Sequence, residues 1–232
     1  MFENIIKNVH NRHPLIHCIT NYVSINDCAN IVLACGGAPI MAEDINEVSQ
    51  ITSICQGLDI NIGMLNDNKL SSMLKAGATA NELGIPVILD PVGAGSSDYR
   101  IKAVQNLMSN VQFGVIRGNV SEIKAIAAKQ GIHNIAAGVY ETMQKNKSAM
   151  GVEAGIADKI TDDNIKEMAD FINKLSQKTG AVIAVTGGID MVADENRVYA
   201  IRNGHKMMSL VTGAGCQLSA LTSAYVAADK EH

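Results

Sequence analysis

The feature that most constrains this 232-residue chain is a regular alternation of short apolar runs with longer amphipathic ones. PLIHCIT (14–20), APIMA (38–42), LDINIG (58–63), IPVILD (85–90), FGVIRG (113–118) and AVIAVTG (181–187) are bounded by turn-forming residues and read as buried strands. Between them, SINDCANIVLAC, NEVSQITSICQ, NDNKLSSMLKAGATANEL, DYRIKAVQNLMSN and TDDNIKEMADFINKLSQK repeat apolar residues at the helical period, and several start with a Ser, Asn, Asp or Thr able to cap free N–H groups. Strand–helix alternation predicts an α/β fold with a mostly parallel sheet covered by helices on both faces. MVADENRVYAIRNGHKMMSLV (191–211) carries Asp-Glu-Asn between alternating flanks and predicts an antiparallel hairpin near the C-terminus. Residues 131–159 are the least patterned and are expected to form a helical excursion or a loop over the sheet. They mark no domain boundary, so residues 1–232 are expected to form one domain.

Composition narrows the function. With 47% hydrophobic and 18% charged residues the chain has enough apolar material for a packed core. A net charge of −4 gives no basic surface for nucleic acid. No apolar run reaches the length of about 18 residues that suggests a membrane span, and the amphipathic N-terminus MFENIIKNVHNRH lacks the apolar core of a signal peptide. A cytoplasmic location is expected. The five cysteines, Cys18, Cys28, Cys35, Cys55 and Cys216, form no CxxC pair; neither a zinc site nor a disulfide framework is indicated, and most read as small core residues.

In sheets of this kind ligands gather beyond the carboxyl ends of the strands. The residues there are Asn21, Met41, Asn61 with Gly63, Asp90, Arg117 with Asn119, Thr186 with Gly187, and the turn at 212–216. Three glycine patterns are candidates for holding phosphate. A Walker A loop is excluded, because no glycine is followed by lysine. The dinucleotide pattern fails at Asp98, which stands where the third glycine of Gly93-Ala94-Gly95 should follow, so an NAD-dependent oxidoreductase is the weakest reading. The third is TGAGC (212–216), directly before a long run of helix formers. Free N–H groups of Gly213 to Cys216 at a helix start, with roughly half a positive charge from its dipole, make an anion hole, and Gly213 and Gly215, expected at backbone angles that other residues resist, let backbone approach a phosphoryl oxygen; a plain glycine turn has the same pattern.

RGNVSE (117–122) strengthens the phosphate reading. Its arginine can bridge phosphate oxygens, while Asn119 and Glu122 suit a hydrated magnesium ion; Asn119 or Ser121 can equally cap the helix that follows, and both roles can hold together. Asp90, closing IPVILD, supplies a second carboxylate. Met41 and the Met-rich HKMMSLV (205–211) are by residue type core or strand filler.

ITNYV, APIMA, NIG, ILDPVGAG, IRGNVSE, VTGGID and VTGAGC, in this order, resemble the hydroxyethylthiazole kinases of the ribokinase-like superfamily from about Pro14 to Ala228. That resemblance implies a three-layer α/β/α fold and transfer of the γ-phosphoryl group of ATP to the hydroxyl of 4-methyl-5-(2-hydroxyethyl)thiazole, in thiamine biosynthesis or salvage. It also implies magnesium dependence and a homotrimer with active sites between subunits. Carried over by motif, Met41 contacts the thiazole with Asn21 and Gly63; Arg117 and Thr186 contact ATP; Gly213 and Gly215 form the anion hole, with Gly213 also touching substrate; and Asp90, Asn119 and Glu122 serve the magnesium side. Cys216 stands where related kinases place an aspartate beside the acceptor hydroxyl. A helix start lowers a thiol's pKa and apolar surroundings raise it, which leaves Cys216 either a modest base or a space-filling residue. A sister kinase for hydroxymethylpyrimidine or pyridoxal, or a weakly catalytic protein that binds thiazole or nucleotide, are the alternatives. The sequence ends at His232, directly after the signature helix, where the family continues through further helical residues, implying a shorter chain or different C-terminal packing. Residues 131–159 match the family poorly.

Overall fold

Eight helices and eight strands follow the predicted alternation in a computed structural model that describes residues 2–132 and 159–229. The expectation for 131–159 falls almost wholly outside the described residues. The order is α1 (Phe2–Arg12), β1 (Leu15–Ile19), α2 (Ile25–Ala34), β2 (Ala38–Ile40), α3 (Val48–Ile54), β3 (Gly57–Asn61), α4 (Asp67–Glu82), β4 (Val87–Asp90), α5 (Asp98–Asn110), β5 (Val115–Asn119), α6 (Val120–Lys129), α7 (Ile165–Thr179), β6 (Val182–Thr186), β7 (Asp190–Ala193), β8 (Val198–Ile201) and α8 (Ala214–Ala228). Each of the six apolar runs became a strand. Two compact units emerge, one of residues Met1–Asp90, Leu107–Gly114 and Lys206–His232, the other of Pro91–Asn106 and Val115–His205.

In the first unit β1 to β4 lie side by side as β2-β1-β3-β4, all parallel. Parallel strands carry helices on both faces, so β3 and β4 are buried at every residue. Ile16, Ile19, Leu58, Ile60, Ile88 and Leu89 are fully buried, each contributing about 1.5–3 kcal/mol of transfer free energy. On one face α8 packs against β1, β3 and β4, with α1 and α2 against α8; on the other His17 reaches Thr52 of α3, which packs on α4. The contact with α8 is close because both partners are small: a Cβ on Gly57 would come within 3.2 Å of the Ser223 carbonyl oxygen and of Ala227 Cβ.

Cys18, Cys28 and Cys55 are core residues of this unit, as their type suggests. Burial pushes the Cys28 thiol up to about 12, with the Asp59 charge adding to it, and burial pushes Cys55 up to about 11. Unfolded thiols ionise near 8.5, so above that pH the unfolded chain binds fewer protons than the native one and stability falls as pH rises. The thermal midpoint is expected to drop between pH 8.5 and 10.5, and the drop to be smaller in Cys28→Ala; equal slopes in the two proteins would show that these thiols do not drive it.

The second unit changes direction as predicted. β5 and β6 are parallel, whereas β6–β7 and β7–β8 are antiparallel. β6 and β7 alternate in burial, and β8 is largely exposed, the pattern of a sheet approaching its edge. Asp194 makes the hairpin turn by accepting the N–H groups of Asn196 and Arg197 at 2.7 and 2.6 Å. α6 and α7 cover the strands, and α7 stops at Gly180, whose φ of 71° suits only glycine well. The hairpin is shorter than expected, however. Its second strand ends at Ile201, and Lys206–Leu210, in the first unit, form a 3-10 turn in which Met207 and Met208 are 65% and 58% exposed. The Met-rich stretch is therefore neither core nor strand filler; Asn203-Gly204 breaks the extended run before it. Among the described residues no helix is long and apolar enough to cross a membrane.

Candidate active site

The carboxyl ends of β1, β3 and β4 and the start of α8 meet in the first unit in a chain of polar side chains. Asp90, the last residue of β4, is fully buried and accepts from Asn61 Nδ2 at 2.8 Å. That contact fixes the Asn61 amide, because a carboxylate only accepts. Asn61 Oδ1 therefore faces the other way and receives Asn21 Nδ2 at 3.1 Å and the Gly63 N–H at 2.9 Å. Asn21 is fixed in turn: its Oδ1 takes the N–H groups of Val23 and Ser24 at 3.1 and 3.2 Å, which leaves its Nδ2 to reach Cys216 Sγ at 3.3 Å. The Asp90–Asn61–Asn21–Cys216 relay thus aims a donor at the sulfur. Asn61 links Asp90 to Asn21; at the sequence level it was visible only as a strand-end residue and carried no role.

Two glycines are required by this packing. A Cβ on Gly63 would lie 2.9 Å from both Asn21 Nδ2 and Asn61 Oδ1, in the middle of the relay. Gly213 caps α8 with φ 73°, and its Cβ would lie 2.7 Å from Ser24 Cβ. Gly215 differs from expectation. It lies inside the first turn of α8 and is not among the residues with positive φ, so it needs no special backbone angle. The expected row of free amides is also shorter by one, since the Ala214 N–H points to the Val211 carbonyl at 3.4 Å. The N–H groups of Gly215 and Cys216 remain first-turn amides without an intrahelical acceptor.

Burial raises the pKa of Cys216, and the Asp90 charge raises it further; hydrogen bonding from Ser24, Asn61 and Asn21 opposes both. The contest between helix start and apolar surroundings goes to burial, and the resting group is a neutral thiol. Ser24, itself buried, lowers the pKa of both Cys216 and Cys28. Met41 follows β2 and is half-buried, and His17 Nε2 bonds the carbonyl of its neighbour Ala42 at 2.8 Å.

In the second unit, Arg117 and Thr186 come together, Arg117 Nη2 donating to Thr186 Oγ1 at 2.6 Å. Arg117 lies within β5 and not beyond it, because Gly118 and Asn119 continue the pairing with Val185 and Thr186. Asn119 and Glu122 form a reciprocal cap of α6: Asn119 Oδ1 takes the Glu122 N–H at 2.9 Å and Glu122 Oε2 takes the Asn119 N–H at 2.8 Å. Glu122 Oε1 receives the Gly93 N–H at 2.8 Å. The capping role foreseen for Asn119 is real, and its Oδ1 also accepts from Ser121 Oγ at 2.8 Å. Among the described residues no group of three or more His, Cys, Asp or Glu side chains is arranged to hold a metal by itself.

A profile of the Hydroxyethylthiazole kinase family matches residues 6–232. A hydroxyethylthiazole kinase of Clostridium acetobutylicum is 52% identical over 229 residues, covering 99% of this chain and 78% of the relative. The structure of the hydroxyethylthiazole kinase protein of Pyrococcus horikoshii superposes with a TM-score of 0.80 at 33% identity, covering 97% of this chain and 75% of that one. A phosphomethylpyrimidine kinase of Clostridium difficile shares the fold at TM-score 0.60 but only 13% identity, over 93% of this chain and 92% of that one. With the glycine-capped α8, Cys216 in its first turn and the family's motifs spread over nearly the whole length, this chain belongs to the hydroxyethylthiazole kinase family.

Proposed function

We propose that this chain transfers the γ-phosphoryl group of ATP to the primary hydroxyl of 4-methyl-5-(2-hydroxyethyl)thiazole, and that residues 1–232 work as one kinase domain. The observation that carries the reading is Cys216 in the first turn of α8, with Asn21 donating to its sulfur and open amides beside it. Met41, Asn21 and Gly63 bind the thiazole so that its hydroxyl lies by Cys216. The N–H groups of Gly215 and Cys216, presented by the turn at Gly213, hold the phosphoryl oxygens in transit, where the positive end of α8 favours negative charge. Arg117 and Thr186 hold the polyphosphate of ATP.

Phosphoryl transfer passes through a loose transition state, so orientation and charge stabilisation supply most of the rate. A neutral thiol is consistent with this: Cys216 orients the acceptor, and its small thiolate fraction takes the hydroxyl proton as the new O–P bond forms and the bond to ADP breaks. Asp90, Asn119 and Glu122 are the oxygen-bearing side chains that would hold magnesium, an ion that prefers oxygen ligands and keeps part of its water shell. A bound Mg2+ would neutralise charge on the ATP phosphates.

We place the protein in the cytoplasm, a setting that suits its five free cysteines. We also propose a homotrimer with active sites between neighbouring subunits; exposed Val23, Met207, Leu210 and Val211, close in sequence to Asn21 and Gly213, suit a subunit contact. The test is ADP release with magnesium and ATP when hydroxyethylthiazole, hydroxymethylpyrimidine and pyridoxal are offered in parallel, with light scattering on the same sample. Turnover with the thiazole alone and a mass three times 24.6 kDa are expected. Turnover with another alcohol would overturn the substrate, and a monomer mass would overturn the trimer.

A further inference from the structure

Lys69 is a lysine in an unfavourable place. Only 4% of it is exposed, and it is the third residue of α4, near the positive end of the helix dipole, where its backbone N–H is held by the cap Asn66 at 2.9 Å. Burying an ammonium group is costly unless partners offset it. The partners of Lys69 are specific: Nζ donates to the Thr20 carbonyl, forms an ion pair with Glu43 Oε2 at 2.7 Å and lies 4.8 Å from the centre of the Tyr22 ring. The Tyr22 hydroxyl closes the ring of contacts by donating to Glu43 Oε1.

These partners are neighbours in sequence of the residues placed at the thiazole. Thr20 and Tyr22 flank Asn21, Glu43 is two residues beyond Met41, and Lys69 opens the helix reached from Gly63 through one short loop. Three separate loops, after β1, β2 and β3, are thus joined by one ammonium group. Removing it would leave the loops with the pairwise Tyr22–Glu43 and Asn21–Asn61 bonds but without the one group that touches all three.

We propose that Lys69, through Glu43 and Tyr22, is the positioning residue that sets the thiazole-binding loops against one another, and so controls affinity for the acceptor and not for ATP. The proposal rests on the thiazole-kinase reading. Burial alone would raise the Glu43 pKa, yet the hydrogen bonds and charge of Lys69 and the Tyr22 hydroxyl outweigh it and keep the carboxylate ionised.

Calorimetric titration of hydroxyethylthiazole, and separately of ATP with magnesium, into the wild type, Lys69→Met, Lys69→Arg and Glu43→Gln tests this. Losing a charged hydrogen-bond partner should weaken thiazole binding about tenfold or more in Lys69→Met and less in Glu43→Gln, with ATP binding unchanged. Lys69→Arg should recover part of the loss, since it restores a charge that can reach Glu43. Glu43 is partly exposed, so its variant remains informative if Lys69→Met does not fold. Unchanged thiazole affinity in Glu43→Gln and the folded Lys69 variants would overturn the positioning role alone. Equal weakening toward thiazole and ATP would assign Lys69 to general stability instead. Absence of thiazole binding by the wild type would overturn the kinase reading and this proposal with it.

Discussion

Gly213→Val should abolish most turnover while leaving a folded protein. The substitution places a β-branched residue at φ 73°, and its Cβ would press on Ser24 Cβ at 2.7 Å. The strain is local and costs about 1–3 kcal/mol. For a chain of this size each kcal/mol lowers the melting midpoint by about 2–4 °C. The turn feeding α8 must move to relieve the clash, and the first-turn amides of Gly215 and Cys216 move with it. A misplacement near 1 Å in a reacting constellation costs about a hundredfold in rate, and that is the loss expected here. Steady-state kinetics beside a thermal melt decide the matter. A variant that fails to fold would make Gly213 a purely structural cap and weaken the assignment of the anion hole; a folded variant with full activity would remove it.

Cys216→Ala is the second large effect. It deletes the acceptor of the Asn21 donor and the group proposed to lie beside the substrate hydroxyl, and a drop in kcat of about a hundredfold is expected, the lower end for loss of a general base. The pH dependence separates chemistry from packing. Because burial and the Asp90 charge raise the thiol's pKa, thiolate is scarce at neutral pH and becomes more abundant as pH rises. The wild-type kcat should therefore climb with pH above neutral, and the alanine variant should lack that climb. If the variant keeps both the rate and the slope, Cys216 only fills space at the helix start.

Most of the architecture was legible because it depends on local pattern. Buried parallel strands need unbroken apolar runs, and IPVILD and AVIAVTG supply them; amphipathic helices need the helical period, and the NDNKL and TDDNI segments show it with capping residues in place. The antiparallel hairpin was legible from its Asp-Glu-Asn turn. The 205–211 segment was misassigned because apolar residues after a strand resemble its continuation, and only the break at Asn203-Gly204 argued otherwise. The angle expected of Gly215 failed for a related reason: two glycines in GAG look alike in sequence, although only the one outside the helix needs a left-handed backbone.

The site divides the same way. Residue types at strand ends and in TGAGC marked Asn21, Gly63, Asp90, Gly213 and Cys216 before any contact was known, because a topology of this kind gathers those positions at one sheet edge. Three things needed the tertiary structure. The direction of each amide in the Asp90–Asn61–Asn21 relay follows from which neighbour can only accept; the protonation of Cys216 depends on how deeply α8 is buried; and the bond of Lys69 to Thr20 and Glu43 joins residues 49 and 26 positions apart. Periodicity and capping act within a few residues and are written in the sequence. Desolvation and long-range pairing depend on what lies across the fold, and only the folded chain brings those groups together.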